Sequence, residues 1–259
     1  MRRTGWTDSI LIIALGLAVL MLSLLLASTG YLTIMLSILS VITPMTALLL
    51  GVFGLRIYAG KSEAREDRLH TLNLWFSIGL IMFSLAEITG TLVRFTQNSQ
   101  QMVLTIILIH IPGILLWGFG IIQYLSSLNM VFKFSDNGKL WIVLVVISGI
   151  ASISLIVVMA VQSSESYLVE KIILSPIMVG LILFTIITGG LVWIFRGGLL
   201  SRPLLFTLSA FSLLAIRIIF WVLTEFQLGT LFDSLISIEV YVLCGAGLML
   251  SKDFEILRG

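Results

Sequence analysis

Eight long apolar runs follow one another along the chain, near 9–28, 31–58, 71–95, 102–127, 140–161, 170–195, 203–225 and 231–251. A helix needs roughly 20 mostly apolar residues to cross about 30 Å of hydrocarbon, and in hydrocarbon every backbone N–H and C=O must find its partner inside the segment or around a closed barrel. Continuous runs of this length predict helices, because barrel strands would read as shorter segments of alternating polarity. The expected fold is all-α: a polytopic transmembrane helix bundle of eight spans. Composition agrees, with 59% hydrophobic and only 11% charged residues among 259, where a soluble domain carries about a quarter charged.

Orientation follows from the basic residues between the runs. With the N-terminus placed in the cytoplasm, Arg94 and Lys171 face outward and Arg217 lies within a span. The remaining 12 of the 15 lysines and arginines face inward. That asymmetry predicts both termini on the cytoplasmic side of a cell membrane. The opening "MRRTGWTDSILIIALGLAVLMLSLLLAST" has the basic start and apolar core of a signal peptide. Its apolar run is longer than a usual signal core and no A-x-A site follows, so a retained first helix is expected.

No connection is long enough to fold alone. The mixed-charge "AGKSEAREDRLH" (59–70) reads as a helix extension or interfacial segment, and "FSDNGK" (134–139) has the Asp-Asn-Gly chemistry of a tight turn. No internal repeat is present. One membrane domain over 1–259 is expected, without a soluble domain. The single cysteine, Cys244, excludes an intrachain disulfide framework and a cysteine metal cluster. A net charge of +2 gives no electrostatic footprint for nucleic acid.

Chemical character is concentrated in four ionisable residues inside spans, where the bilayer makes them expensive and turns them toward the bundle interior. They are Glu87, His110, Arg217 and Glu239. Each lies eight positions from the outer end of its run, about 12 Å deep at 1.5 Å per residue, so the four are expected to share one layer. Ser77, Ser84, Glu87, Thr91 and Arg94 recur on one helical face of the third run. His110, Gly113, Trp117, Gly120 and Tyr124 do so in the fourth, where Pro112 predicts a kink, and Arg217, Trp221 and Glu225 follow at steps of four in the seventh. Glu239 has only apolar neighbours on its own face. It must find a partner on another helix or stay protonated. Glu87 is expected to pair with Arg217, while Arg94, Trp117, Trp221 and Glu225 would support or rim an outward-facing polar pocket. The outer-end residues Arg94, Glu225 and Asp233 are read as exposed interfacial residues or as the rim of that pocket.

Three function classes fit this layer. The first is a sensor or receptor-type module in which a ligand, ion or proton shifts helix packing. Histidine is the side chain that changes charge across the physiological pH range, so acidification would alter its coupling to the glutamates. The second is a transporter or proton-coupled carrier, weakened by inner halves nearly free of ionisable residues and by the missing inverted repeat. The third is a structural subunit whose buried pair only locks helices together. Catalysis ranks lowest: no H-E-x-x-H or G-x-S-x-G occurs, no lysine lies mid-membrane for a Schiff base, and Arg217 opposes a cation between Glu87, His110 and Glu239. No cofactor is expected.

The runs "LNLWFSIGLIMFSLAE", "LLWGFGIIQYL" and "LISIEVYVLCGAGLML" resemble the seven-helix membrane sensory modules of prokaryotes that precede histidine kinase or cyclase domains. The resemblance spans about residues 31 to 251 and is one of texture and helix order. It implies a prokaryotic plasma-membrane protein that senses and signals. The family's modules usually lead into a cytoplasmic effector, and this sequence reaches Gly259 without one. The expectation is therefore a module acting through a membrane or cytoplasmic signalling partner, or through a homo-oligomer. The resemblance assigns no binding residues.

Overall fold

The computed structural model describes residues 5–59, 68–96, 99–132, 146–150, 152–154, 157, 167–226 and 228–256. The described residues form seven long helices: α1 (Gly5–Ser28), α2 (Leu32–Tyr58), α3 (Arg68–Thr96), α4 (Ser99–Phe132), α5 (Leu168–Ile194), α6 (Ser201–Leu223) and α7 (Leu231–Ile256). All seven are long and apolar enough to cross a membrane, and each overlies one predicted span. Of the span near 140–161, the described residues are 146–150, 152–154 and 157, all helical. Most of the 59–70 segment and all of 134–139 lie outside the described residues. The α4 helix continues through Pro112.

The last helix is the central one. α7 packs against α6, α1 and α2 and touches α3, while α3 joins α2 to α4 and α5 bridges α4 and α6. The outward surface is apolar, with Leu15, Met21 and Leu25 of α1 among its most exposed side chains. Lipid tails are as apolar as leucine, so helix association in such a bundle rests on close packing and interhelical hydrogen bonds. Both are present. Tyr58 Oη donates to the Leu248 carbonyl at 2.6 Å, Ser9 Oγ to Ala246 at 2.7 Å and Ser84 Oγ to Pro44 at 2.8 Å. Gly79 lets α3 approach the indole of Trp117 so closely that a Cβ there would overlap the ring.

Two helix ends share one backbone device and differ in its key residue. At the end of α1, Tyr31 N–H bonds the Leu26 carbonyl and Gly30 N–H the Ala27 carbonyl, with Gly30 at φ 90°. At the end of α6, Phe226 N–H bonds the Trp221 carbonyl and Glu225 N–H the Val222 carbonyl. Both are Schellman caps, which place one residue in the left-handed region. In the second cap that residue is Glu225, at φ 50°, followed by Phe226 at φ 60°. The turn returns the chain to α7, whose start is capped by Thr230 Oγ1 accepting from Asp233 N–H at 3.2 Å.

Candidate functional site

In the half of the bundle toward this turn, four helices contribute charged or polar side chains to one buried network. Arg217 of α6 is 1% exposed. Its Nε donates to Asp233 Oδ1 at 2.7 Å and its Nη2 lies 3.0 Å from Glu87 Oε1 of α3. The expected Glu87–Arg217 pair is therefore present. Tyr241 of α7 donates its hydroxyl to the same Glu87 oxygen at 2.8 Å. His110 of α4 brings Nε2 to 3.5 Å from it. A buried guanidinium with a carboxylate on each side satisfies the condition for holding charge in a low-dielectric interior, namely pairing plus hydrogen bonds.

His110 completes the network in a specific orientation. Its Nδ1 lies 2.7 Å from the Ile106 carbonyl, an acceptor, so Nδ1 carries the hydrogen. In a neutral ring Nε2 is then a bare lone pair, and it points at the carboxylate of Glu87. Nε2 is buried and makes no hydrogen bond in this arrangement. A proton on Nε2 would turn that opposition into a charge-assisted contact. It would also set two cations, Arg217 and His110, against two anions, Glu87 and Asp233.

Trp221 joins the two ends of the network. Its Nε1–H donates to Asp233 Oδ1 at 2.8 Å, its ring lies 4.7 Å from the Arg217 guanidinium carbon, and its edge meets the His110 ring at 5.7 Å between centroids. Asp233 is fully engaged, its Oδ2 accepting from Gly229 N–H at 2.9 Å. Below this layer, Trp117 is a support and not a rim residue: it is completely buried, donates to the Phe76 carbonyl at 3.1 Å and stacks on Phe76. Phe83 lies between Trp117 and both Tyr241 and His110.

Two expectations are corrected, those for Glu239 and Asp233. Glu239 shares the depth but not the network. It lies on the side of α7 opposite Tyr241, because two residues turn an α-helix by about 200°, and its buried Oε1 has no hydrogen-bond partner among the described residues. Glu225 is exposed on the turn, as an outer-end interfacial residue would be, with left-handed backbone. Asp233 is 1% exposed, a partner of Arg217 and not an interfacial residue. Arg94 lies in α3, but its side chain is outside the described ones. The layer itself is closed, with Glu87, His110, Arg217 and Asp233 all buried. A cavity lies elsewhere, between α1, α2 and α7.

Asp233 and Tyr241 are the members that height along the helix does not reveal. Their signal was available: Asp233, Ser237 and Tyr241 stand at steps of four and share one face of α7. All three are buried, and Ser237 Oγ donates to the Asp233 carbonyl at 2.8 Å. Comparison with protein-family models, with curated proteins and with solved structures finds no match for this chain.

Proposed function

We propose that the chain is a multi-pass protein of a prokaryotic plasma membrane, with eight spans and both termini cytoplasmic, acting as a proton- or ligand-responsive sensor module that signals through a partner protein. The observation that carries this reading is His110 Nε2 facing Glu87 Oε1 at 3.5 Å while Nδ1 is committed to the Ile106 carbonyl. A ring fixed in that way can answer Glu87 only by taking a proton. Each state of the imidazole then favours a different packing of α4 against α3 and α6. A structural lock would need no such group, because Arg217, Glu87, Asp233 and Tyr241 already satisfy one another.

The test uses Trp221 as a built-in reporter, since a protonated imidazole against an indole quenches its emission. The wild-type protein in nanodiscs is titrated between about pH 5 and 8, the range in which histidine changes charge in proteins. Trp221→Phe identifies the Trp221 share among the six tryptophans. The expected result is a reversible emission change in the wild type that is absent from both Trp221→Phe and His110→Gln. A wild type with no transition, or a His110→Gln protein that keeps it, overturns the reading.

A proton-coupled carrier is the second reading, favoured by one observation. Glu239 is a half-buried carboxyl without a hydrogen-bond partner for Oε1 among the described residues, as a site that loads and releases a proton would require. Proton uptake into liposomes that is abolished by Glu239→Gln and retained in His110→Gln would favour the carrier over the sensor.

A further inference from the structure

The first two helices scarcely touch each other, and both lean on α7. Between the three lies a cleft of about 680 Å³. Its α1 wall runs from Asp8 to Val19 and its α2 wall from Thr46 to Ile57, with Ile238, Val242 and Met249 of α7 as the floor. At 1.5 Å per residue the α1 wall is about 16 Å long, half of a hydrocarbon core of about 30 Å. The cleft is one leaflet deep.

Its two ends differ in chemistry. The deep end is lined by Val19, Thr46 and Ile238, and the shallow end carries Asp8, Arg56 and Lys252. Asp8 and Lys252 stand 3.7 Å apart, both partly exposed, while Arg56 is exposed and has no ion-pair partner among the described residues. Among the described residues, two cations against one anion leave an excess positive charge at the mouth. Along the walls Leu11, Leu15, Leu49 and Phe53 are each at least half exposed, so the cleft offers an uncovered apolar surface beneath a cationic rim.

We propose that this cleft binds an anionic phospholipid from the leaflet on the basic side, one acyl chain lying between α1 and α2 and the headgroup phosphate held by Arg56 and Lys252. Length selects a chain that spans one leaflet, and the apolar walls select hydrocarbon. The cationic mouth selects an anionic headgroup over a zwitterionic one, since juxtamembrane lysines and arginines each favour anionic lipid. Arg56 presents a planar fork suited to two phosphate oxygens, and Lys252 a point charge. The site is separate from the Glu87–Arg217 network, none of whose members lines the cleft. Its failure would leave the sensor reading untouched.

The test begins with detergent-purified, delipidated full-length chain. Native mass spectrometry follows its titration with phosphatidylglycerol and, separately, with phosphatidylcholine of the same acyl chains. One phosphatidylglycerol per chain is expected to bind roughly tenfold more tightly than phosphatidylcholine, with the preference lost in the Arg56→Gln/Lys252→Gln double variant and kept in Arg56→Lys. A phosphatidylglycerol with a diazirine in its acyl chain should label wild-type peptides within residues 8–19 and 46–57. Leu15→Trp, which fills the cleft without touching its mouth, should reduce that labelling. Equal affinity for the two lipids, a preference that survives the double variant, or labelling confined to other helices overturns the proposal. So does a second polypeptide, or a second copy of the chain, found to occupy the labelled surface in place of lipid.

Discussion

Arg217 and Asp233 meet across the turn between α6 and α7, Nε to Oδ1 at 2.7 Å, with both side chains buried. The contact closes a helical hairpin and also aims the guanidinium. With Nε held by Asp233, Nη2 extends to Glu87 on α3, and the hairpin is tied to the rest of the bundle. Asp233 holds this position because it is the third residue of α7. There its backbone N–H is capped by Thr230, and its carboxylate accepts from Gly229 N–H and Trp221 Nε1–H.

Removing the shared cation should therefore cost more than removing either acid. Arg217→Met strands two carboxylates in a buried site, and breaking a buried pair from one side costs about 3–5 kcal/mol. Glu87→Gln leaves Arg217 with Asp233 and an amide and should cost less. The triple change Glu87→Gln/Asp233→Asn/Arg217→Met should recover much of the loss, whereas the double Glu87→Gln/Arg217→Met, with Asp233 still charged, should recover little. Unfolding of the four proteins by steric trapping in bicelles gives the order directly. Full rescue in the double variant would show that Asp233 is not a principal partner.

Tyr241 packs against Phe83 and donates its hydroxyl to Glu87 Oε1. Tyr241→Phe removes only that donor, and a hydrogen bond to a charged group is worth about 1.5–3 kcal/mol. The loss should shrink when the same change is made in Glu87→Gln, because the acceptor is then uncharged. A double-mutant cycle on unfolding free energy reads the coupling. Equal costs in the two backgrounds would mean that the tyrosine acts through packing.

The spans were legible in the sequence because length and hydropathy leave a continuous apolar run few alternatives to a helix. Glu87, His110 and Arg217 were legible too, since height along a helix follows from residue number. Height carries no azimuth, so Glu239 matches in height and faces away. Nor does height carry the reach of a side chain. Arg217 reaches along its helix toward the turn, and Tyr241 back toward the N-terminus of its own, so residues at different heights meet at one carboxylate. Asp233 sits near the boundary, where an interfacial place is expected, although its spacing to Ser237 and Tyr241 marks an inward polar stripe.

Glycine positions should divide sharply. A Cβ on Gly79 would overlap the Trp117 ring, whereas one on Gly90 would meet Ile106 at 3.7 Å, an ordinary contact. Gly79→Ala should destabilise by about 1–3 kcal/mol through overpacking. Gly90→Ala, in helical backbone that alanine prefers, should be neutral or stabilising by up to about 1 kcal/mol. Thermal denaturation in one detergent compares them, and equal midpoints would contradict the close α3–α4 approach at Gly79.

Glu225 occupies the position that Gly30 holds at the end of α1, left-handed at φ 50° in the same Schellman cap. An L-residue with a Cβ costs roughly 1–2 kcal/mol in that conformation, and glycine avoids the clash. Glu225→Gly should therefore stabilise the protein, by about 0.5–1 kcal/mol once the added freedom of the unfolded chain is deducted. Glu225→Ala keeps the Cβ and should give no such gain. The comparison also separates the two roles considered for this residue. If the exposed carboxylate matters to the response, both variants lose the pH-dependent Trp221 signal. If the position matters only as a cap, both retain the signal and only Glu225→Gly raises the unfolding midpoint.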